Sequence, residues 1–254
     1  MVDIHCHLLP TLDDGASEEA VAIEMATMAT ADGITHVVAT PHSNYRFRFD
    51  PEVNRRKRDE LQLAVGETPT ILLGCDFHLS HENLASVRLH PDHYTINGLH
   101  YLLVEFSNIA IFPNIEEVFA DLVSRRLTPI ITHPERNPIL SRSLHRIQKW
   151  IAAGCYVQVT AGSFLGRFGK GALKTSLSLL RHHMVHFIAT DAHDILRRPP
   201  LLSEACRVIA KEQGEEIAWA LSEANPQAAI EGRDLPWQPS FVPIAARKWF
   251  SLFR

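Results

Sequence analysis

The sequence predicts an α/β fold built from parallel βα units. Short apolar, β-branched runs alternate with amphipathic stretches of helical length, a pattern typical of parallel strands joined by helices. A second observation is that histidine and acidic residues recur where these runs end. A third is the length of 254 residues, which a single α/β barrel commonly occupies.

Seven strand-like runs follow one another, and most precede a predicted helix. The runs are VDIH, HVVAT at 36–40, TILLG at 70–74, YLLVEF at 101–106, TPIITH at 128–133, YVQVT at 156–160 and HFIATD at 186–191. The predicted helices span 18–32, 51–64, 115–125, 141–153, 169–182 and 201–212. Residues 77–100 lack a clear helical pattern and are predicted to be an irregular excursion. We expect one domain over 1–232 and a packed or flexible C-terminal tail over 233–254.

The polar residues at the strand ends favour a closed barrel over an open doubly wound sheet. In a barrel all carboxyl ends meet around one centre, whereas an open sheet would spread them along a line. The residues that end their runs, or lie two residues beyond them, are His5, His7, His42, Asp76, Glu105, His133 and Asp191.

Composition excludes several classes of protein. The net charge of −4 disfavours nucleic-acid binding, and no apolar run is long enough to suggest a membrane span. The first residues lack the pattern of a secretory signal, so we expect a cytoplasmic location. Four scattered cysteines without a CxxC pair are predicted to be reduced thiols that hold no metal.

The HxH motif of His5 and His7 predicts a metal site. Residues i and i+2 of a strand point to the same side, so both imidazoles can reach one ion; the alternative is a solvated pair at a sheet edge. Asp191 and His193 repeat this spacing in TDAHD. Imidazoles mixed with carboxylates, without thiolates, suit Mn, Fe, Zn or Mg.

The candidate ligands are too numerous for a single ion. They are His5, His7, Asp14, His42, Asp76, Glu105, His133, Asp191 and His193. Two or three carboxylate-bridged metals would accommodate them, generate hydroxide near neutral pH and clamp phosphoryl oxygens. Arg136 and Arg198 follow two of the ligands and could bind phosphate, although loop arginines are also commonly solvated. The combination predicts hydrolysis of a phosphate ester.

These residues resemble a known superfamily. The run MVDIHCHLLPTLDDGA, followed by TPHS, LVEF, ITHPERN, QVTAGSFLGRFGKGA, TDAHD and RRPP, is similar to the PHP (polymerase and histidinol phosphatase) superfamily. More narrowly, it resembles the bacterial PHP-type protein tyrosine phosphatases of capsule and exopolysaccharide loci. The resemblance implies a distorted (β/α)7 TIM-like barrel, three divalent metals, typically Mn²⁺, and as substrate the phosphotyrosine tail of a bacterial tyrosine kinase.

The resemblance also implies a role for each residue. His5, His7, Asp76 and Asp191 would hold the first metal, and Asp76 would bridge to a second metal held with Glu105 and His133. Asp14, His42 and His193 would hold the third, and Arg136 and Arg198 would bind phosphate. The proton for the leaving group would come from bound water or from His42.

Two positions depart from the family pattern or leave alternatives open. The family's bridging ligand is usually Glu, and the shorter Asp76 stands in its place, with His78 as an alternative ligand. Asp14 is favoured over Asp13 because it directly precedes Gly15, the small residue that opens the following helix.

Two rival functions remain open at this point. One is a PHP phosphoesterase that acts on a small ester such as histidinol phosphate, and the other is a catalytically silent regulator that binds a kinase. The basic, aromatic segment ARKWFSLFR at the C-terminus could touch a membrane surface. Self-association is left open.

Overall fold

The computed structural model describes residues 1–242, which form an α/β domain with two parallel sheets. A three-stranded sheet has the order β1-β2-β4, and a six-stranded sheet has the order β3-β5-β6-β7-β8-β9. The strands are β1 (Val2–Cys6), β2 (His36–Ala39), β3 (His42–Ser43), β4 (Thr70–Leu73), β5 (Asp76–His78), β6 (Tyr101–Glu105), β7 (Thr128–Thr132), β8 (Tyr156–Thr160) and β9 (Phe187–Ala189). The predicted parallel α/β class is confirmed.

Helices follow most of the strands, and six of them match the predicted helices. The helices are α1 (Glu19–Ala31), α2 (Pro51–Val65), α3 (His81–Leu89), α4 (Ile115–Ser124), α5 (Leu144–Ala152), α6 (Ala161–Phe164), α7 (Gly169–Arg181), α8 (Ser203–Gln213), α9 (Glu215–Trp219) and α10 (Asn225–Ile230). Helix α2 illustrates the local cause, because the Asp50 side chain accepts the backbone N–H groups of Glu52 and Val53 at its first turn. Pro51 at the first helical position fixes a helical φ.

The prediction of an irregular segment over 77–100 was wrong in its first half. Helix α3 begins after Ser80, whose hydroxyl accepts the backbone N–H of Asn83, and it buries Leu84 and Val87 on one face. This N-cap and the apolar pair three residues apart are helix signals. They were obscured by the polar residues around them. Two short 3-10 turns at 91–93 and 96–98 complete the segment.

Two of the predicted strands are interrupted and then resume. The strand β2 ends and extended structure resumes as β3, and β4 ends and resumes as β5. The seven predicted runs therefore become nine strands over residues 1–242. Gly74 lies at the second break, where a Cβ would come within 3.0 Å of the Val38 side chain. In the resumed strands His42 pairs with Asp76 in parallel register, and His78 pairs with Glu105.

The core explains why the strands read as continuous apolar runs. All residues of β1 are buried, as expected for a parallel strand covered on both faces. One apolar cluster packs helices against the sheets. A second cluster includes Ile4, Val38, Leu103 and Phe187 from four different strands. An isolated parallel bridge joins Cys6, at the end of β1, to Ala192 after β9.

The segment after α10 packs on this body as far as it is described. Leu235 is buried, and the backbone N–H of Val242 donates to the carbonyl of His182 at 3.0 Å. The rest of the predicted tail, including ARKWFSLFR, lies outside the described residues. Within residues 1–242, none of the helices combines the length and the apolar character needed to cross a bilayer.

Candidate metal centre

The carboxyl ends of the strands bring the nine predicted ligand side chains into one cluster. His5 lies in β1 and His7 just beyond it, and their Nε2 atoms are 3.3 Å apart. The loop before α1 supplies Asp14, and β3, β5 and β6 supply His42, Asp76 and Glu105. His133 follows β7, and Asp191 and His193 follow β9.

The inner half of the centre consists of His5, His7, Asp76 and Asp191, which are all buried. Asp76 Oδ2 and Asp191 Oδ1 each lie 3.6 Å from His5 Nε2. Asp191 Oδ1 lies 3.4 Å from His7 Nε2. The ligand atoms of His5, His7 and Asp76 all fall within 4.8 Å of one another, a spacing that one ion can span.

The outer half consists of Asp14, His42, Glu105, His133 and His193. Asp14 Oδ1 lies 3.3 Å from His42 Nε2 and 3.6 Å from His193 Nε2, and together with His7 these residues form a second compact group. His42, Asp76 and Glu105 form a third group. His133 Nε2 lies 3.9 Å from Glu105 Oε1, outside the three compact groups formed by the described residues.

Two residues outside the predicted set orient the inner histidines. The carboxylate of Asp13 lies 2.7 Å from His7 Nδ1, and the side-chain oxygen of Gln158 lies 3.0 Å from His5 Nδ1. An oxygen beside Nδ1 favours the tautomer that leaves Nε2 free as a ligand atom. The sequence placed Asp13 next to Asp14 but gave it no role, and Gln158 was hidden inside the apolar run YVQVT.

The backbone is constrained where it delivers the ligands. His133 and Asp191 have φ values of +33° and +49°, in the left-handed region that costs non-glycine residues free energy. At Gly15 a Cβ would overlap the carbonyl oxygen of His7, so only glycine allows the Asp13–Asp14 loop to lie this close to β1.

Charge pairing sets the protonation of the cluster. Burial disfavours a charged His5, but Asp76 and Asp191 more than offset it and raise its pKa to about 9. Burial likewise opposes a charged His42, whereas Asp14 and Asp76 raise its pKa to about 11. Burial and the Arg136 charge lower the pKa of His133 to about 3. Divalent cations displace protons from such ligands when they bind.

The buried polar atoms of Asp76 and His42 indicate whether metal ions fit this centre. Asp76 is fully buried, yet neither of its oxygens makes a hydrogen bond within residues 1–242, and buried His42 Nδ1 also lacks one there. Ring nitrogens face the Asp76 carboxylate, with His42 Nδ1 at 3.1 Å from Oδ2. A buried carboxylate without hydrogen bonds is costly unless a cation compensates it. This mixed imidazole and carboxylate set suits hard or borderline divalent ions.

Both predicted arginines contact the centre through Asp191. Arg136 and Arg198 pair with Asp191 Oδ2, the latter at 2.7 Å, while Oδ1 faces the histidines. The Phe168 ring packs against both guanidinium groups, at 4.2 Å from Arg136 Cζ and 5.9 Å from Arg198 Cζ. Asp194 accepts the backbone N–H of Arg198 at 3.2 Å and holds its loop. Phe168 belongs to GRFG, a motif whose role the sequence left open.

His78, Cys6 and Cys75 lie near the compact ligand groups formed by residues 1–242 but belong to none of them. His78, the alternative ligand, lies 3.3 Å from Glu105 through Nδ1 but belongs to none of the compact ligand groups among residues 1–242. Cys6 and Cys75 are buried beside the ligands, and burial raises the pKa of both thiols. The predicted reduced cysteines are thus present as free thiols, with Cys206 only partly buried.

A cavity of about 400 Å³ opens over the outer half. Its walls include Asp14, His42 and Glu105 together with loops after β3 and β6. Tyr45 and Ile109 from these loops are almost fully exposed at its rim. The centre is therefore reachable by a side chain that enters from solvent.

Comparison with known proteins agrees with this geometry. Residues 1–231 match the family described as "Capsular polysaccharide synthesis, CpsB/CapC". The chain is 34% identical over its full length to the full length of the tyrosine-protein phosphatase YwqE of Bacillus subtilis. It is 27% identical to the tyrosine-protein phosphatase CpsB of Streptococcus pneumoniae, over 91% of this chain and 98% of the relative.

A solved structure extends the likeness to three dimensions. Crystal structures of YwqE from Bacillus subtilis and CpsB from Streptococcus pneumoniae are described as those of unique metal-dependent tyrosine phosphatases. The matching chain has a TM-score of 0.88 and 32% identity, over 96% of this chain and all of that one. The chain therefore belongs to the CpsB/CapC family of capsular polysaccharide synthesis proteins.

Proposed function

We propose that this protein is a metal-dependent protein-tyrosine phosphatase. Its substrate is phosphotyrosine on the tail of a bacterial tyrosine kinase that controls capsular or exopolysaccharide synthesis. The family membership and the activity named for its relatives YwqE and CpsB support this assignment. The location that fits such a substrate is the cytoplasm.

One observation carries the proposal: a buried carboxylate without hydrogen bonds lies at the point where the two halves of the centre meet. Asp76 faces His5 on the inner side and His42 on the outer side. Two divalent cations that shared Asp76 would compensate its charge. His5 and His42 hold the pKa of Asp76 well below its usual range despite burial, so this carboxylate is ionised and available as a ligand.

The nine ligands divide among three metals, for which Mn²⁺ is our first choice and Fe, Zn or Mg the alternatives. His5, His7, Asp76 and Asp191 would hold the first metal, and Asp76, Glu105 and His133 the second. Asp14, His42 and His193 would hold the third. The close grouping of His42 with Asp76 and Glu105 supports a place for Asp76 between neighbouring metal sites.

The remaining chemistry belongs to the side chains around the centre. Bound divalent ions would supply a nucleophile by lowering the pKa of water and would polarise the phosphoryl oxygens. Arg136 and Arg198 bind the other phosphoryl oxygens and stabilise charge as the ester bond breaks. Phe168 holds both guanidinium groups in place. His42 lines the cavity, but its Nε2 faces Asp14 and its Nδ1 faces Asp76, so as a ligand it would leave water to return the proton to the departing tyrosinate.

We further propose that the two sheets together form the distorted (β/α)7 barrel of the PHP superfamily. Counting β2 with β3 and β4 with β5 gives seven strand positions, and the bridge from Cys6 to Ala192 brings the last next to the first. The catalytic domain then spans 1–232, with 233–254 as its C-terminal extension.

The test is a comparison of substrates and metal content with the purified protein. We expect about three divalent ions per chain and faster turnover of phosphotyrosine peptides than of histidinol phosphate in Mn²⁺. His5→Ala should lose metal and activity, whereas His145→Ala, an exposed histidine on α5, should keep both. Equal or faster turnover of histidinol phosphate would favour the small-ester enzyme. Unchanged activity in His5→Ala would refute the metal mechanism.

A further inference from the structure

A second, larger cavity lies beside the metal centre. It measures about 660 Å³ and is bounded by the loop after β7 and by one face of α7. Arg136 is part of its wall and also contacts Asp191 of the centre. The Arg136 guanidinium group therefore links the wall of this cavity to Asp191 of the metal centre.

The wall of this cavity is basic. Arg142 comes from the 3-10 turn that precedes α5, and Lys174 comes from α7. Neither side chain makes a hydrogen bond or an ion pair within residues 1–242. Two cations that face one space create an attractive potential for an anion.

Two hydroxyl groups and a buried carboxyl group complete the wall. Thr175 and Ser178 lie on the same face of α7 as Lys174, and their hydroxyls can donate to an anionic oxygen. Glu135 is buried, and its Oε1 accepts the Ser163 hydroxyl at 2.6 Å and the Thr160 backbone N–H at 3.1 Å. Its Oε2 is buried and makes no hydrogen bond within residues 1–242.

A peptide substrate can supply such an anion, because acidic side chains can lie next to its phosphotyrosine. We propose that this basic subsite, formed by Arg142, Lys174, Thr175 and Ser178, binds an anionic side chain that neighbours the phosphotyrosine on the same substrate chain. The anion is a carboxylate or a phosphate. The proposal rests on the proposed function and adds a determinant of peptide specificity to it.

The experiment uses the metal-loaded enzyme and three sets of phosphotyrosine peptides. One set carries Gln, one carries Glu and one carries phosphoserine. Within each set, that residue is placed at one position at a time, up to four residues before or after the phosphotyrosine. At one or more positions, we expect Glu to lower KM about fivefold relative to Gln, since two solvent-facing ion pairs contribute about this much. Phosphoserine should lower KM at least as much as Glu if the site prefers phosphate, and less if it prefers a carboxylate.

The Arg142→Ala/Lys174→Ala variant should lose this preference while its kcat on p-nitrophenyl phosphate stays at the wild-type value. The matched control is Lys149→Ala/Lys211→Ala, which removes the same charge from exposed positions on α5 and α8 and should keep the preference. Equal KM for all three peptide sets in the wild type would overturn the proposal. Loss of the preference for Glu over Gln in the control variant would also overturn it, because the preference would then depend on the net charge of the protein and not on this subsite.

A failure of the proposed function gives a different result. In that case no phosphotyrosine peptide is hydrolysed, whatever its neighbouring residue. The subsite is then tested by fluorescence anisotropy with labelled Glu and Gln peptides. Tighter binding of the Glu peptide by the wild type, but not by Arg142→Ala/Lys174→Ala, supports the subsite, and equal binding overturns it.

Discussion

The inner and outer halves of the metal centre differ in burial and in the support their ligands receive. The inner ligands are buried, and Asp13 and Gln158 hold His7 and His5 from behind. In the outer half the side chains of Asp14 and Glu105 are 48% and 21% exposed. Preorganised, desolvated ligands bind an ion more tightly than mobile, hydrated ones. The difference indicates that the inner half would bind a metal ion with higher affinity than the outer half.

The largest expected effect comes from the residue that the two halves share. Asp76→Ala should remove at least two metals and lower kcat/KM by more than about 10³-fold, since changing an outer-sphere partner alone costs 10–100-fold. Asp76→Glu, which keeps the carboxylate on a side chain one methylene longer, should retain metals and keep activity within about tenfold of wild type. Metal analysis and steady-state kinetics measure both. Full metal content in Asp76→Ala would show that the halves do not depend on this bridge.

The next effect separates phosphate binding from metal binding. Arg198→Ala should lower kcat/KM by about 10²-fold, the usual effect of removing one donor to a transition-state oxygen, while the metal content stays unchanged. Arg197→Ala is the control, because Arg197 is exposed on the same loop. Loss of metal from Arg198→Ala would instead assign this arginine to the support of Asp191.

Support of the inner half is tested by Gln158→Leu. Because the side-chain oxygen of Gln158 lies beside Nδ1 of His5, its loss should weaken binding of the most tightly held ion by about 10–100-fold. Competition with a chelator measures this affinity. Gln148→Leu on α5 should leave it unchanged, and an unchanged affinity in Gln158→Leu would mean that burial alone orients His5.

The outer half should respond more mildly. Asp14→Asn should remove one metal equivalent and lower activity by about tenfold, with recovery in excess Mn²⁺, because a half-exposed ligand is replaceable by water. Measuring activity against Mn²⁺ concentration checks this. If Asp14→Asn emptied all the sites, the distinction between the two halves would not hold.

The smallest effect on activity is expected at the opposite, amino-terminal end of the strands. Burial lowers the pKa of His186, just before β9, to about 3, and its Nδ1 accepts the backbone N–H of Val157 at 3.2 Å. Since the unfolded chain takes up this proton near pH 6.5, stability is present above that pH and is lost as the pH falls toward 3. The loss from pH 7 to pH 5 is about 2 kcal/mol.

Denaturant unfolding at pH 7 and pH 5 measures this dependence. His186→Asn should be less stable at pH 7 but should show a smaller decrease toward pH 5 than the wild type. Phosphatase activity at pH 7 should be unaffected. An identical decrease in both proteins would assign the pH dependence to other groups.

The sequence predicted much of the fold because its parallel strands are apolar over their whole length. The convergence of His5, Glu105 and Asp191 could be predicted because parallel strands end on the same side of a sheet. Helix α3 was missed since its short apolar face, Leu84 and Val87, is surrounded by polar residues. The break before β5 lies at Gly74, whose close approach to Val38 of the neighbouring strand depends on tertiary packing.

The supporting residues of the site were harder to predict than the residues that form the cluster. Gln158 alternates with apolar neighbours like any strand residue, and only the fold brings it to His5, 153 positions away. Asp13 was visible in the sequence, but its contact with His7 depends on the tight turn at Gly15. The basic subsite combines Arg142 with Lys174 from separate elements, so local spacing could not reveal it.

The two buried thiols beside the ligands have a consequence for chemical control. Cys6 and Cys75 are neither exposed nor acidified, and alkylating agents and peroxide react with accessible thiolates. Iodoacetamide at neutral pH should therefore leave the folded protein's activity intact. Oxidation, which inactivates phosphatases that use a cysteine nucleophile, would therefore not act on this centre through those two thiols.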